Sequence, residues 1–196
     1  MPPGRETFEQ LLAAALPTAF GVAIRFVRNR DDAEDLVQEA SLRAFRSFHT
    51  FTSGTNFRAW LLRILTNLYY QKYRQRQREP QITELEDAPD LYLYIQTRDA
   101  GLHQRSDDPA GLVLERLSMD HIAGAIDALP DDFRMVAALY FMEEFSYEEI
   151  AGIVDVPIGT VRSRLHRGRK LLQKSLWQLA VDQGLVAPLS PEAAAP

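Results

Sequence analysis

Six lysines and arginines, and no acid, lie between Arg162 and Lys174. On a helix Arg162, Ser163, His166, Arg167, Lys170 and Gln173 share one side, while Val161, Leu165, Gly168 and Leu172 recur at i, i+4, i+7 and i+11 as an apolar stripe. A basic face of this kind either stays solvated or meets a polyanion. In the DNA major groove arginine reads guanine edges, and serine or lysine meets phosphate. The preceding segment favours DNA. Ser146, with Glu149 three residues later, forms a capping-box pattern ahead of a short helix, Glu148 to Val154, whose apolar face is Ile150, Ala151 and Val154. Asp155 to Gly159, with Pro157 between them, breaks that helix, and Thr160 stands where it can cap the next. Two helices joined by a tight turn, the second basic on its outer side, predict a DNA-binding helix-turn-helix.

A second basic element runs from Arg58 to Arg78, with Arg58, Arg63, Lys72, Arg74, Arg76 and Arg78 and no acid. In a helix over Thr55 to Arg78, Trp60, Leu61, Ile64, Leu65 and Leu68 form a core arc, and Arg63, Asn67, Tyr70 and Arg74 recur on the outside. Such a stripe suits nucleic acid: arginine for phosphate, asparagine for a base edge, tyrosine for stacking, although Tyr70 would equally cap the core. The loop from Phe48 to Phe57 carries small polar donors and three phenylalanines, which suits either capture of an unstacked base or a buried hinge. In the helix from Asp32 to Phe48, Ala33, Val37, Ala40, Ala44 and Phe48 face inward. Asp32, Asp35, Glu39, Arg43 and Arg46 line the other side, next to Gln38 and Leu42. On pattern alone that stripe is a solvated face.

The chain has 196 residues, enough for one or two domains with a real core, and a net charge of −5. The distribution of charge matters more than its sum, because two basic elements far apart in sequence suggest two contacts with one polyanion. There is no cysteine, which excludes disulfides and thiolate metal sites, and the four histidines lack ligand spacing, so no metal site is expected. No apolar run approaches 18 residues and no signal-peptide pattern opens the chain, so a soluble, cytoplasmic protein without membrane insertion is expected. Helical periodicity over 8–78 and 114–180 predicts an all-α fold of two small domains. Between them, 79–113 is a linker with Pro80, Pro89 and Pro109, where eight acids face two arginines. A frayed Pro/Ala-rich tail, 181–196, follows.

With these segments in order, the chain resembles the extracytoplasmic-function (ECF) sigma factors, group IV of the sigma-70 family of bacterial transcription initiation subunits. DDAEDLVQEASLRAFRSF is similar to the family's conserved core, and NFRAWLLRILTNLYYQKYR to its promoter-melting segment. LPDDFRMVAALYFMEEFSYEEIAGIVDVPIGTVRSRLHRGRKLL is similar to its C-terminal promoter domain. The resemblance implies that 8–78 is a region 2-like domain and 114–180 a region 4-like domain. It implies that Asp35, Gln38 and Glu39 dock on the largest catalytic subunits of core RNA polymerase, which reverses the solvated-face reading of that stripe. It implies capture of a flipped minus-10 base by the loop with Phe51, Ser53, Thr55 and Asn56, and contact with the duplex end by Arg63, Asn67, Tyr70 and Arg74. Minus-35 reading falls to Thr160, Arg162, Ser163, His166, Arg167 and Lys170, with His166 at a position where the family varies. The implied partners are core polymerase, promoter DNA of a stress or envelope regulon, and a cognate anti-sigma factor, with nucleoid association in the holoenzyme. The linker is longer than the family's minimum, and its Asp90–Tyr94 patch is weakly similar to a thiol-stress subgroup with a zinc-binding anti-sigma partner.

Other classes fit less of the chain. An ordinary helix-turn-helix regulator needs only the C-terminal half and leaves Asp32–Glu39 and Arg63–Arg74 unexplained. An enzyme would need a phosphate loop, a nucleophile motif, a carboxylate–histidine set or a cofactor signature, and the sequence has none. No catalytic residue and no cofactor are expected.

Overall fold

A computed structural model of the chain describes residues 5–72 and 119–182, and all regular elements among these residues are helical. Helix α1 (Arg5–Val27) buries Phe8, Ala15, Ala19, Val22, Ala23 and Phe26 along one side. It stops where Arg28 turns left-handed at φ 57° and its N–H closes on Ile24 O at 2.8 Å. Asn29 then caps α2 (Arg30–Ser47), its side-chain oxygen accepting the Asp32 N–H at 3.1 Å. Beyond α2 come a single 3₁₀ turn (Phe48–Thr50), a loop, and α3 (Phe57–Lys72).

The loop is held from below by rings. Phe8, Phe48, Phe51, Phe57 and Trp60 form one aromatic cluster, with Phe51 stacked on Phe48 at 5.8 Å and edge-on to Phe57 at 5.3 Å. Gly54 reverses the loop at φ 89°, a conformation a residue with a Cβ adopts only under strain. The phenylalanines therefore build a hinge, and the polar residues between them stand outside it.

Helix α4 spans Met119–Asp127, α5 Asp131–Phe141, α6 Tyr147–Val154 and α7 Ile158–Asp182. One compact unit joins α1–α3 to residues 131–165, and a second contains α4 and α7 from His166 onward. In the first, Met135, Leu139, Phe145, Ile150, Ile153 and Val154 share a continuous core with Leu61, Leu65 and Leu68. The second buries Ala125, Ile126, Leu129, Leu172, Leu176, Trp177 and Ala180. This grouping cuts across the division into 8–78 and 114–180, because α5 and α6 lay apolar side chains on α1 and α3.

Two sequence expectations are corrected. Thr7–Val27 of α1 is long and apolar enough to cross a membrane by length and composition, so the statement that no run approaches 18 residues does not hold. Packing accounts for part of it: Phe8, Ala15, Ala19, Val22, Ala23 and Phe26 lie in the helical core, whereas Ala13, Ala14 and Leu16 are exposed. The second correction concerns the start of α7. The helix begins at Ile158, which places Thr160 inside the first turn and not at the cap. Asp155, left-handed at φ 53°, ends α6 in the role assigned to glycine, while Gly159 lies within α7. The linker 79–113, Arg74 with the last turn of the Thr55–Arg78 helix, the 114–118 start of the next, and the tail past Asp182 lie outside the described residues.

Candidate nucleic-acid interface

The helix-turn-helix is built as its local sequence dictates. Ser146 Oγ accepts the Glu149 N–H at 3.2 Å, and Glu149 Oε2 accepts the Ser146 N–H at 3.0 Å, a complete capping box. Those hydrogen bonds, the Ser146 backbone first, hold the Glu149 carboxyl below its ordinary range. On α7 Val161, Leu165 and Leu172 are buried, and Arg162, Ser163, His166 and Arg167 are exposed. Thr160 and Lys170 are half-buried. Arg164, between these positions, turns inward and pairs with Asp132 of α5 at 3.2 Å. Its guanidinium therefore ties α7 to α5, while Arg162 and Arg167 face outward.

In the loop and α3, Ser53, Thr55, Asn56, Arg63 and Asn67 are exposed and Tyr70 is half-buried. Asn56 caps α3, its Oδ1 accepting the Ala59 N–H at 3.3 Å. Its amide N–H₂ donates to Glu149 Oε1 at 2.6 Å. Arg63 lies 3.6 Å from Asp155, and the Tyr70 hydroxyl donates to the sulfur of Met135 at 3.8 Å. Phe51 is buried among the rings, so it shapes this loop and offers no face for stacking a base.

The outer side of α2 forms a third surface. Asp35 and Gln38 are exposed, and Gln38 borders two shallow apolar grooves between α1 and α2. Leu42 and Phe45, at 54% and 50% exposure, line the second groove. Glu39 is less available, because Arg43 Nη2 bonds it at 2.8 Å and Lys72 Nζ pairs with its other oxygen. The Lys72 contact is the main cause that keeps the Glu39 carboxyl low.

Residues 11–79 match the family model for sigma-70 region 2, and residues 120–172 match that for sigma-70 region 4. The ECF RNA polymerase sigma factor EcfG of Rhodopseudomonas palustris is 35% identical over 85% of this chain and 83% of its own length. The chain belongs to the ECF RNA polymerase sigma factors. The ECF sigma factor SigE of Mycolicibacterium smegmatis is 37% identical over 87% of this chain, which spans 62% of that relative's length. Among solved structures, the sigma factor RpoE of Bartonella quintana, crystallised with the anti-sigma factor NepR, superposes with a TM-score of 0.62. It is 31% identical, over 88% of this chain and 98% of that one. As an ECF sigma factor the chain is a transcription initiation subunit, and a free-standing regulator would leave the region 2 match without a purpose.

The described sequence-selected residues lie on α2, on the loop with α3 and on the first turns of α7, and Arg74 lies outside the described residues. Phe51 leaves the exposed set, and Glu39 is shared with internal cations. Phe45 was missed. Its signal was a large apolar residue off the inward arc of α2, nearly two turns beyond Glu39.

Proposed function

We propose that this sigma factor binds core RNA polymerase through the outer side of α2 and directs it to promoters with minus-35 and minus-10 elements. The observation that carries this reading is the pairing of exposed Asp35 and Gln38 with the exposed apolar side chains of Leu42 and Phe45. Phe45 sets its ring edge-on to Phe8 at 5.3 Å yet stays half exposed, as does Leu42, and a protein interface buries such groups and lets charge at the rim set its register. Residues 8–78 act as the polymerase-binding and melting module, and 114–180 as the upstream reader, with 79–113 as their connection.

Within that scheme, Arg162, Ser163, His166 and Arg167 read the minus-35 duplex, flanked by Thr160 and Lys170. Ser53, Thr55 and Asn56 hold an unpaired minus-10 base over the ring cluster, and Arg63, Asn67, Tyr70 and Arg74 engage the adjoining duplex. The bases are opened at a cost of a few kcal/mol, offset by the pocket and backbone contacts. The protein acts in the cytoplasm, on the nucleoid when bound to polymerase, and a cognate anti-sigma factor restrains it, as NepR pairs with the Bartonella relative.

Co-purification with core polymerase tests the docking surface. Asp35→Lys or Phe45→Ala is expected to lose the complex while helix content stays at the wild-type level. Wild-type retention by both variants would return the face to solvent. Reconstituted transcription by polymerase and this chain tests the activity itself.

A further inference from the structure

Two opposite charges on the outer side of α2 have no partner among the described residues. Asp35 and Arg46 are both exposed and make no hydrogen bond or ion pair there. Their neighbours are served, Glu34 by Arg30 at 3.0 Å and Glu39 by Arg43 at 2.8 Å. Asp35 and Arg46 stand eleven residues apart. That is three turns, which puts them on one line of the helix about 16 Å apart and out of each other's reach. Leu42 lies between them on the same side, 54% exposed, with Phe45 beside it at 50%. The helix dipole explains an arginine in the last turn, but neither an unpaired acid beyond the first turn nor a leucine held in water between the two.

A face with its acid at one end, its base at the other and an apolar residue near the middle is complementary to itself turned end for end. We infer that a second copy of this chain docks on α2, the two helices antiparallel about a two-fold axis that passes between Ala40 and Ser41. In that register Asp35 of each copy meets Arg46 of the other, and the contact is made twice. The two Leu42 side chains fall about 4–5 Å apart along the axis, within contact range of one another. Glu39 opposes Leu42 in this register, but its carboxylate is already drawn aside by Arg43 and Lys72. Phe45 and the shallow groove it lines with Phe8 and Leu12 of α1 extend the contact beyond a single helix. One helix face with a flanking groove falls short of the area that holds a permanent dimer, so the association is weak and reversible, with a dissociation constant of about 10–100 μM. The second copy occupies the face proposed for polymerase, and the two partners exclude each other. That consequence rests on the docking assignment, whereas the pairing itself does not.

Sedimentation equilibrium of the full chain, without polymerase, tests the pairing by charge exchange. Wild type should show a monomer–dimer equilibrium. Asp35→Arg alone sets cation against cation and Arg46→Glu alone sets acid against acid, so each should weaken the dimer at least roughly ten-fold. The two single variants mixed in equal amounts should form a heterodimer near wild-type strength, because every facing pair is then attractive. The doubly exchanged chain, Asp35→Arg with Arg46→Glu, should dimerise again for the same reason. Recovery in the mixture also shows that each single variant is folded. A wild-type chain that stays monomeric at about 500 μM, several times the weakest dissociation constant expected, overturns the pairing. So do single variants that dimerise like wild type, or an exchange that recovers nothing. Core polymerase added to the wild-type dimer should dissociate it. A dimer that passes the exchange test and persists on polymerase keeps the pairing and removes α2 from the docking surface.

Discussion

Arg162 and Arg167 project from the same exposed side of α7 but need not do the same work. An arginine that reads a base should, as alanine, lose roughly 1–3 kcal/mol on its own promoter and relax specificity there, whereas one that meets phosphate should weaken all sequences alike. Measuring each variant with polymerase on matched and mismatched minus-35 elements separates the two. Glu143 and Glu149 lie on opposite sides of the ordinary carboxyl pKa. Burial raises Glu143, against the hydrogen bond from Thr18 and the charges of Arg58 and Arg25, while the Ser146 backbone and Asn56 lower Glu149. Linkage then fixes the signs. The depressed Glu149 stabilises the fold above its unfolded pKa, and this is lost as pH falls through its folded value; the raised Glu143 carries a penalty at neutral pH that is relieved as pH falls. Denaturant titrations should find Glu149→Gln less stable than wild type at pH 7 and Glu143→Gln more stable, the Glu143 difference closing as pH falls to the ordinary carboxyl range and the Glu149 difference only as it falls below that range.

Among the elements, α6 is the shortest α-helix described and depends most on its ends. Ser146→Ala removes the acceptor of the Glu149 N–H and should cost about 1 kcal/mol, seen as a Tm lower by several degrees. Helices of this kind were legible in the sequence because their determinants are local. The capping box spans four residues, and the apolar stripe of α7 repeats within each two turns. The first residue of α7 was misread because the sequence offers proline, glycine and threonine as rival punctuation, and a left-handed Asp155 resolved it. The inward turn of Arg164 was not legible, since Asp132 lies on another helix. Nor was the seating of α6 on α3. It is made by pairs such as Asn56 and Glu149, 93 residues apart, and by apolar side chains that read as the private core of either half. Phe51 was ambiguous for a related reason, because a ring in a polar loop fits a hinge as well as a stacking site until its neighbours are known.

For the molecule as a whole, the decisive property is an opened promoter. Thr55→Ala and Asn67→Ala stand on exposed positions of the loop and α3, so they should leave polymerase binding intact and lower open-complex yield by roughly ten-fold. A template with a pre-opened bubble should recover much of that loss, because the cost of parting the strands is removed in advance. Permanganate reactivity of thymines near the start site reports both outcomes, and unchanged opening by the two variants would reduce the loop to a hinge. The apolar character of α1 has a further consequence, which belongs to synthesis. Its inner side is covered by α2 and α3, and the chain between Val27 and Lys72 must be translated before that cover is complete. At about 5–20 residues per second, Phe8, Val22 and Phe26 wait roughly 2–13 s for Lys72 to be added, within a segment apolar enough to cross a membrane by length and composition. Pausing by the ribosome within α2 or α3 would lengthen the interval in which that apolar side stays uncovered.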